Sequence, residues 1–425
     1  MFAQTLSLWL DRRGIHFAWI VAAITFLTML TTAAALGTPS ALLPSLVAEF
    51  GWNTEQVSSA LALRFALFGL MAPFSALLID RFGLRAVVCS ALLMIGAGMG
   101  LVTGVTAIWQ LFALWGVVLG IGSGMTAQVL GALVSNRWFT QRRGLVIGIL
   151  TASSATGQLL FLPAAAWLSD HYGWRAAVLP LCTTCLVVAG LVLCFMRDRP
   201  ASVGLAPYGE PPGTAAAAAP ARPMRWTAPF TVLAEAARNR VFWVLAATFF
   251  ICGLSTSGLI QTHFISLCGD YGLSAVPAAS VLAMMGAFDF VGTIMSGWLS
   301  DRYDSRKLLF WYYGLRGLSL FWLPHSEFTL TGLSLFAMFY GLDWIATVPP
   351  TVRLATAEFG RERAPMVFGW IFAAHQLGSA AAAYGAGAVR TALLTYNPAL
   401  YAAGLACLLA AAIVFVIRRR PALAA

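Results

Sequence analysis

The chain has 425 residues, 60% of them hydrophobic and 10% charged, with a mean hydropathy of +0.81. A soluble domain carries roughly a quarter charged residues, so most of this surface must face lipid. The net charge of +10 comes from arginines set singly or in pairs between apolar runs. They form no patch or stripe, which excludes a nucleic-acid surface.

The chain opens with Arg12-Arg13 and the run "GIHFAWIVAAITFLTMLTTAAAL". The run is longer than a signal-peptide core and is followed by many like it, so it reads as a first, uncleaved span. A helix crossing the hydrocarbon needs about 20 apolar residues. Twelve stretches meet that length: 16–38, 55–79, 84–104, 108–132, 143–168, 174–196, 241–265, 276–299, 306–324, 328–349, 364–389 and 395–417. Arginines gather in every second connection. Arg81 and Arg85 follow the second span, and Arg137, Arg142 and Arg143 the fourth. Six arginines lie between Arg197 and Arg240 after the sixth. Arg302, Arg306 and Lys307 follow the eighth, Arg353, Arg361 and Arg363 the tenth, and Arg418–Arg420 the twelfth. The alternate connections are nearly bare. This bias predicts both termini on the cytoplasmic side of a plasma (bacterial inner) membrane.

The turn after the second span reads "LLIDRFGLRAV" and that after the eighth "WLSDRYDSRKLL". Their aspartates, Asp80 and Asp301, lie 221 positions apart, and the first and seventh spans start at a similar offset. The repeat predicts two six-helix halves, 1–196 and 241–425, joined by a cytoplasmic linker over 197–240. The Pro/Ala stretch "GEPPGTAAAAAPARP" makes that linker a flexible tether. "FTVLAEAARNR" after it reads as a short amphipathic surface helix.

Both turns resemble the loop motif of the major facilitator superfamily, in which Gly, three residues, Asp-Arg, one residue and Gly precede basic residues. Gly297 and Gly83 each keep one of the two glycines, with Asp304 and Ala76 at the other positions. The resemblance implies an all-α membrane protein of twelve helices in two parallel halves. It also implies that Asp80, Arg81, Arg85, Asp301, Arg302 and Arg306 serve as conformational gate loops. "RGIHFAWIVAAITF" and "RWFTQRRGLVIGILTASSATGQLLFLP" resemble the first span and the helix 4–5 segment of the monocarboxylate transporters. "RDRPASVGLAPYGE" is similar to bacterial members of that branch, which includes oxalate/formate antiporter-like proteins. That family keeps Asp and Arg four residues apart on helix 8; here Asp289 is followed by Thr293. The family's helix-1 lysine has no counterpart. The function implied is secondary transport of a small organic anion by alternating access, coupled to protons, by a monomer.

Ionisable residues inside a membrane need a partner or a task. Asp289, Arg316, Asp343 and His375, with Gln376 beside it, fall on spans 8 to 11, roughly 14–18 Å from their cytoplasmic ends at 1.5 Å per residue. The first half holds Arg64, Gln128 and Gln158. By the resemblance, helices 1, 4, 7 and 10 line the cavity, and 3, 6, 9 and 12 face lipid. Arg64, Gln128, Gln158, Asp343, His375 and Gln376 are candidate substrate contacts. Arg64 suits a carboxylate, because its guanidinium is a permanent forked donor. Asp289 and Arg316 are candidates for proton coupling, with a structural ion pair of Arg316 to Asp289 or Asp343 as the other reading of that arginine. The small-residue runs "GVVLGIGSGMTAQVLG" and "SAAAAYGAGA" allow close helix contact.

No phosphate-binding loop, zinc spacing or Ser/His/Asp set occurs, so neither a cofactor nor an enzyme is expected. "CTTC" lies inside an apolar span with no histidine near it and reads as core. An exporter of the same fold stays open, although "GILTASSATGQLLFLP" matches the antiporter Gly/Pro run poorly. A ligand sensor is the third reading, without the large soluble domain that sensors usually add.

Overall fold

The computed structural model describes residues 12–126, 129–210 and 225–418, and it is helical nearly throughout. The twelve long segments are α1 (Ala18–Phe50), α2 (Thr54–Phe82), α3 (Leu84–Gly104), α4 (Ile108–Trp138), α5 (Arg143–Tyr172) and α6 (Trp174–Phe195), then α7 (Arg240–Asp270), α8 (Ala275–Arg302), α9 (Ser305–Trp322), α10 (Leu330–Gly360), α11 (Arg363–Leu393) and α12 (Asn397–Val416). Ten of them are long and apolar enough to cross a bilayer on composition alone; α5 and α9 complete the set of twelve. Arg306, Lys307 and Arg316 within 18 residues keep α9 from reading as apolar.

Most helices outrun the apolar stretches that announce them. α1 continues to Phe50 through Pro39 and Pro44, where the sequence suggested an end near residue 38. Thr38 and Ser40 turn their hydroxyls back onto the carbonyls of Ala34 and Gly37 in this stretch. α4 and α7 each contain a wide π-helical segment, Phe112–Leu119 and Leu254–Gln261. Such turns often mark functional sites.

The two halves meet along α2 against α11 and α5 against α8. One buried apolar cluster joins them on the side away from the arginine-rich turns. It runs from Leu42, Leu43 and Leu46 of α1 to Phe264, Ile265 and Leu267 of α7. On the arginine-rich side there are two separate clusters. One holds Phe17, Val88, Trp138 and Val192; the other holds Phe242, Tyr313, Ile371 and Val414. The halves are thus fused on the bare side and have independent cores on the arginine-rich side.

The doubled turn shows its chemistry in these ends. Asp80 pairs with Arg137 of α4 at 3.5 Å, and Asp301 with Arg353 of α10 at 3.2 Å. Each aspartate therefore ties the end of its helix to the helix two further on, within its own half. The differing glycine positions also have a physical account. Asp304 caps α9, its Oδ1 accepting from the Arg306 amide at 3.0 Å. The equivalent residue of the first half is Gly83, at φ +87°. A Cβ there would meet the Asp198 carboxylate at 2.8 Å, and Asp198 Oδ1 accepts from the Arg85 amide at 2.9 Å. A carboxylate thus sits at the same N-terminal amide in both halves, local in one and borrowed from beyond α6 in the other.

The segment after α6 also docks. Tyr208 exchanges backbone hydrogen bonds with Trp138 and Thr140 at 2.8 and 2.9 Å, and its ring packs on His16, Trp19 and Phe139. The centre of the tether, 211–224, lies outside the described residues. The surface helix appears at Ala228–Ala236, with Phe230 against Phe74 of α2 and Trp370 of α11.

Candidate functional site

The buried charges of the second half converge on a break in α10. Its first part ends at Asp343, turns run over 344–347, and helix resumes at Val348. The sequence carries the cause. Pro349 and Pro350 have no amide hydrogens, so the carbonyls of Ile345 and Ala346 lose their helical donors. Buried backbone groups left this way must find other partners.

Each partner is a polar side chain or a tightened turn. Ser296 of α8 donates to the Ala346 carbonyl at 2.5 Å, and the Val348 amide folds back to Ile345 O at 2.9 Å. The freed Ile345 amide donates to Asp289 Oδ1 at 2.8 Å, and Thr293 donates to the same oxygen at 3.1 Å. Arg316 enters from α9, buried to 1% exposure. Its Nε donates to Asp343 Oδ2 at 2.8 Å and its Nη1 to Cys252 Sγ at 2.9 Å. Its Nη2 takes two backbone carbonyls, those of Asp343 and, at 3.1 Å, Trp344. Arg316 therefore pairs with Asp343 and not with Asp289. Cys252 Sγ also lies 3.3 Å from the Thr347 hydroxyl. Asp343 Oδ1 is buried without a hydrogen-bond partner among the described residues.

Glycine makes this junction possible. A Cβ on Gly292 of α8 would collide with the Leu342 backbone, and one on Gly341 of α10 would lie 2.5 Å from Met285 O. The two backbones touch where Asp289 and Ser296 must reach across.

Arg64 is 2% exposed on α2, facing the α4 glycine ladder; a Cβ on Gly120 would lie 2.9 Å from Arg64 O. Its guanidinium carbon sits 4.6 Å from the Phe65 ring centre. Nε and Nη1 have no hydrogen-bond partner among the described residues. Across the α2–α11 seam, Gln376 packs against Gly69, and its Oε1 is buried and unpartnered. His375 Nδ1 is also buried and unpartnered, with its ring between Phe249 and Phe372. Gln128 and the side chain of Gln158 lie outside the described residues. His263 is held by Ala383 O and the Tyr396 hydroxyl at 2.9 and 3.3 Å. An apolar recess of about 430 Å³ lies between α1 and α5, lined by Trp19, Phe26, Ile149 and neighbours, away from the charged cluster.

Asp289, Arg316 and Asp343 are thus brought together, Gln376 adjoins α2, and His375 packs on α7 within its own half. Cys252, Ser296 and Thr347 belong to the same network and were not singled out by the sequence. The signal was present: "ATVPPTVR" sets two adjacent prolines at the end of the tenth apolar stretch, and a buried helix that runs past them needs side-chain help for the carbonyls they leave without donors.

Twelve helices in two halves, with buried charges around a broken inner helix, define a secondary-transporter architecture. The chain belongs to the Major Facilitator Superfamily, whose family model matches residues 21–383. It is 25% identical over 346 residues to an uncharacterized MFS-type transporter, YcxA, of Bacillus subtilis, covering 80% of both chains. It is 28% identical over 307 residues to monocarboxylate transporter 13 of Bos taurus, covering 71% of this chain and 66% of that one. It is 24% identical over 314 residues to monocarboxylate transporter 4 of Rattus norvegicus, covering 72% of this chain and 62% of that one. The chain therefore spans slightly under two thirds of the length of these animal relatives. It is an integral membrane transporter and not an enzyme.

Proposed function

We propose that the protein moves a small organic anion together with a proton by alternating access. Residues 1–196 and 241–425 act as the two moving halves, and 197–240 as their linker. The observation that carries the reading is Arg64: a buried arginine whose Nε and Nη1 donors have no partner among the described residues. A forked cation kept from water and left unsatisfied suits a carboxylate that arrives with the cargo. Gln376 and His375 present unpartnered polar atoms on the opposing half, and we assign them to the same cargo. The names of the monocarboxylate transporter relatives support the class of substrate.

Asp289 is the proposed proton carrier. Arg316 and Asp343 balance each other, which leaves Asp289 as the uncompensated charge of the cluster. The arginine-rich side faces the cytoplasm of a plasma membrane in this reading, and the separate cores there correspond to an inward-facing state. Asp80 with Arg137 and Asp301 with Arg353 stiffen the ends that must part and rejoin.

The test is uptake of labelled lactate, pyruvate, formate, oxalate and short-chain acids into proteoliposomes, with and without an inward proton gradient. Gradient-stimulated uptake of one acid is expected. Asp289→Asn should abolish accumulation and spare exchange, and Arg64→Gln should lower uptake at least tenfold. Accumulation unchanged in Asp289→Asn removes that residue from coupling; unchanged uptake in Arg64→Gln removes Arg64 from the binding site.

A further inference from the structure

We infer that Arg316 is a positioning residue that holds α10 open at residues 344–347, and that its task is done on the backbone rather than by its charge alone. Three of its nitrogens are committed, to Asp343 Oδ2, Cys252 Sγ and the two carbonyls of Asp343 and Trp344. Those two carbonyls belong to the last residue of the first helical part of α10 and to the first residue of the turn, and they have no helical donor once the chain turns. Arg316 is therefore a C-terminal cap delivered from a different helix. Ser296 supplies the matching cap for Ala346 O.

The consequence lies on the other face of the break. Only because α10 leaves its helical path does the Ile345 amide point at Asp289 Oδ1. Among the described residues Thr293 and Ile345 are the donors to Asp289, and one of them exists through the break. Arg316 thus sets the environment of Asp289 without touching it. This rests on the transport reading only in giving Asp289 a role; the broken helix and its cap stand without it. It also means that the cargo does not draw Arg316 away from its partners, since leaving would strand two buried carbonyls.

The test needs no cargo. Spin labels are placed at Leu335 and Val352, both exposed and on opposite sides of the break, with the native cysteines other than Cys252 replaced by alanine. The distance between them is measured by pulsed electron resonance in reconstituted protein. Arg316→Lys keeps the charge but cannot serve four acceptors, and it should broaden or displace the distribution. Asp343→Asn removes the charge pair and leaves both carbonyls capped, and it should keep the distribution narrow. The infrared carboxyl band of Asp289, isolated by subtracting Asp289→Asn, should move in Arg316→Lys and stay in Asp343→Asn. A broadened Asp343→Asn beside an unchanged Arg316→Lys would show charge pairing to be the task and overturn the inference. Pro349→Ala with Pro350→Ala gives a second handle that leaves the Arg316–Asp343 pair intact. It should keep both the distance and the Asp289 band, since Arg316 and Ser296 still cap the break, and movement of both beside an unchanged Arg316→Lys would show that the prolines alone hold it and overturn the inference.

Discussion

Arg316 is a buried charge whose partners are largely backbone. Its four acceptors include two backbone oxygens and one carboxylate. Arg316→Met would strand the carboxylate and both backbone oxygens, while Cys252 Sγ keeps the Thr347 hydroxyl. Breaking a buried ion pair by removing one partner costs about 3–5 kcal/mol. Arg316→Met with Asp343→Leu restores charge balance but leaves the two carbonyls, each costing about 1–3 kcal/mol. Thermal unfolding in detergent should therefore rank the original protein above the double variant, and the double above the single. A double variant as stable as the original would mean that the carbonyls find other donors. The sequence located Arg316, Asp343 and Asp289 at one depth, because depth follows from counting residues along helices. It could not say which aspartate the arginine takes, because that depends on how α8, α9 and α10 rotate against one another.

At the scale of the element, α10 and its contact with α8 decide the shape of the site. Gly292 and Gly341 let the two backbones touch, and a methyl group at Gly292 would meet the Leu342 backbone. Gly292→Ala should force the helices apart and destabilise by about 1–3 kcal/mol, the usual cost of overpacking. The melting temperature should fall. Gly297 on the same helix has open space, so Gly297→Ala should leave it unchanged. Equal effects at both positions would contradict the close contact. Helix number, order and approximate position were legible because lipid demands long apolar runs. Helix ends were not: α1 runs on to Phe50 through two prolines, with Leu42, Leu43 and Leu46 beyond the first of them buried in the cluster that joins the halves. The α10 break was legible only in hindsight. Two adjacent prolines interrupt the intrahelical bonding, yet in α1, α2 and α5 single prolines leave the helix continuous.

At the scale of the molecule, the halves are fused on one side and carry separate cores on the other. On the fused side the seam is also polar. Tyr384 of α11 donates to Glu55 of α2 at 3.0 Å, and Thr391 accepts from the Glu55 amide at 3.2 Å. Gly387 lies against Ser58, where an added Cβ would be 2.9 Å from the Ser58 Cβ. Cysteines at Ser58 and Gly387 should therefore cross-link under mild oxidation, and the bond should stop transport until it is reduced. Free transport in the cross-linked protein would mean that this seam does not open. The two-half plan was legible in the doubled Asp-Arg turn, since equivalent ends of equivalent halves face the same solvent. The capping carboxylate of α3 was not, because Asp198 reaches it from more than a hundred residues away.

The central claim is that an anion and a proton cross together, and the most direct measurement is proton movement driven by the anion. Each acid of the panel is added to proteoliposomes in a weakly buffered medium, and the external pH is followed. Co-entry of anion and proton predicts a rise in external pH with at least one acid, lost in Asp289→Asn. An acid that enters with no rise in external pH would contradict the account.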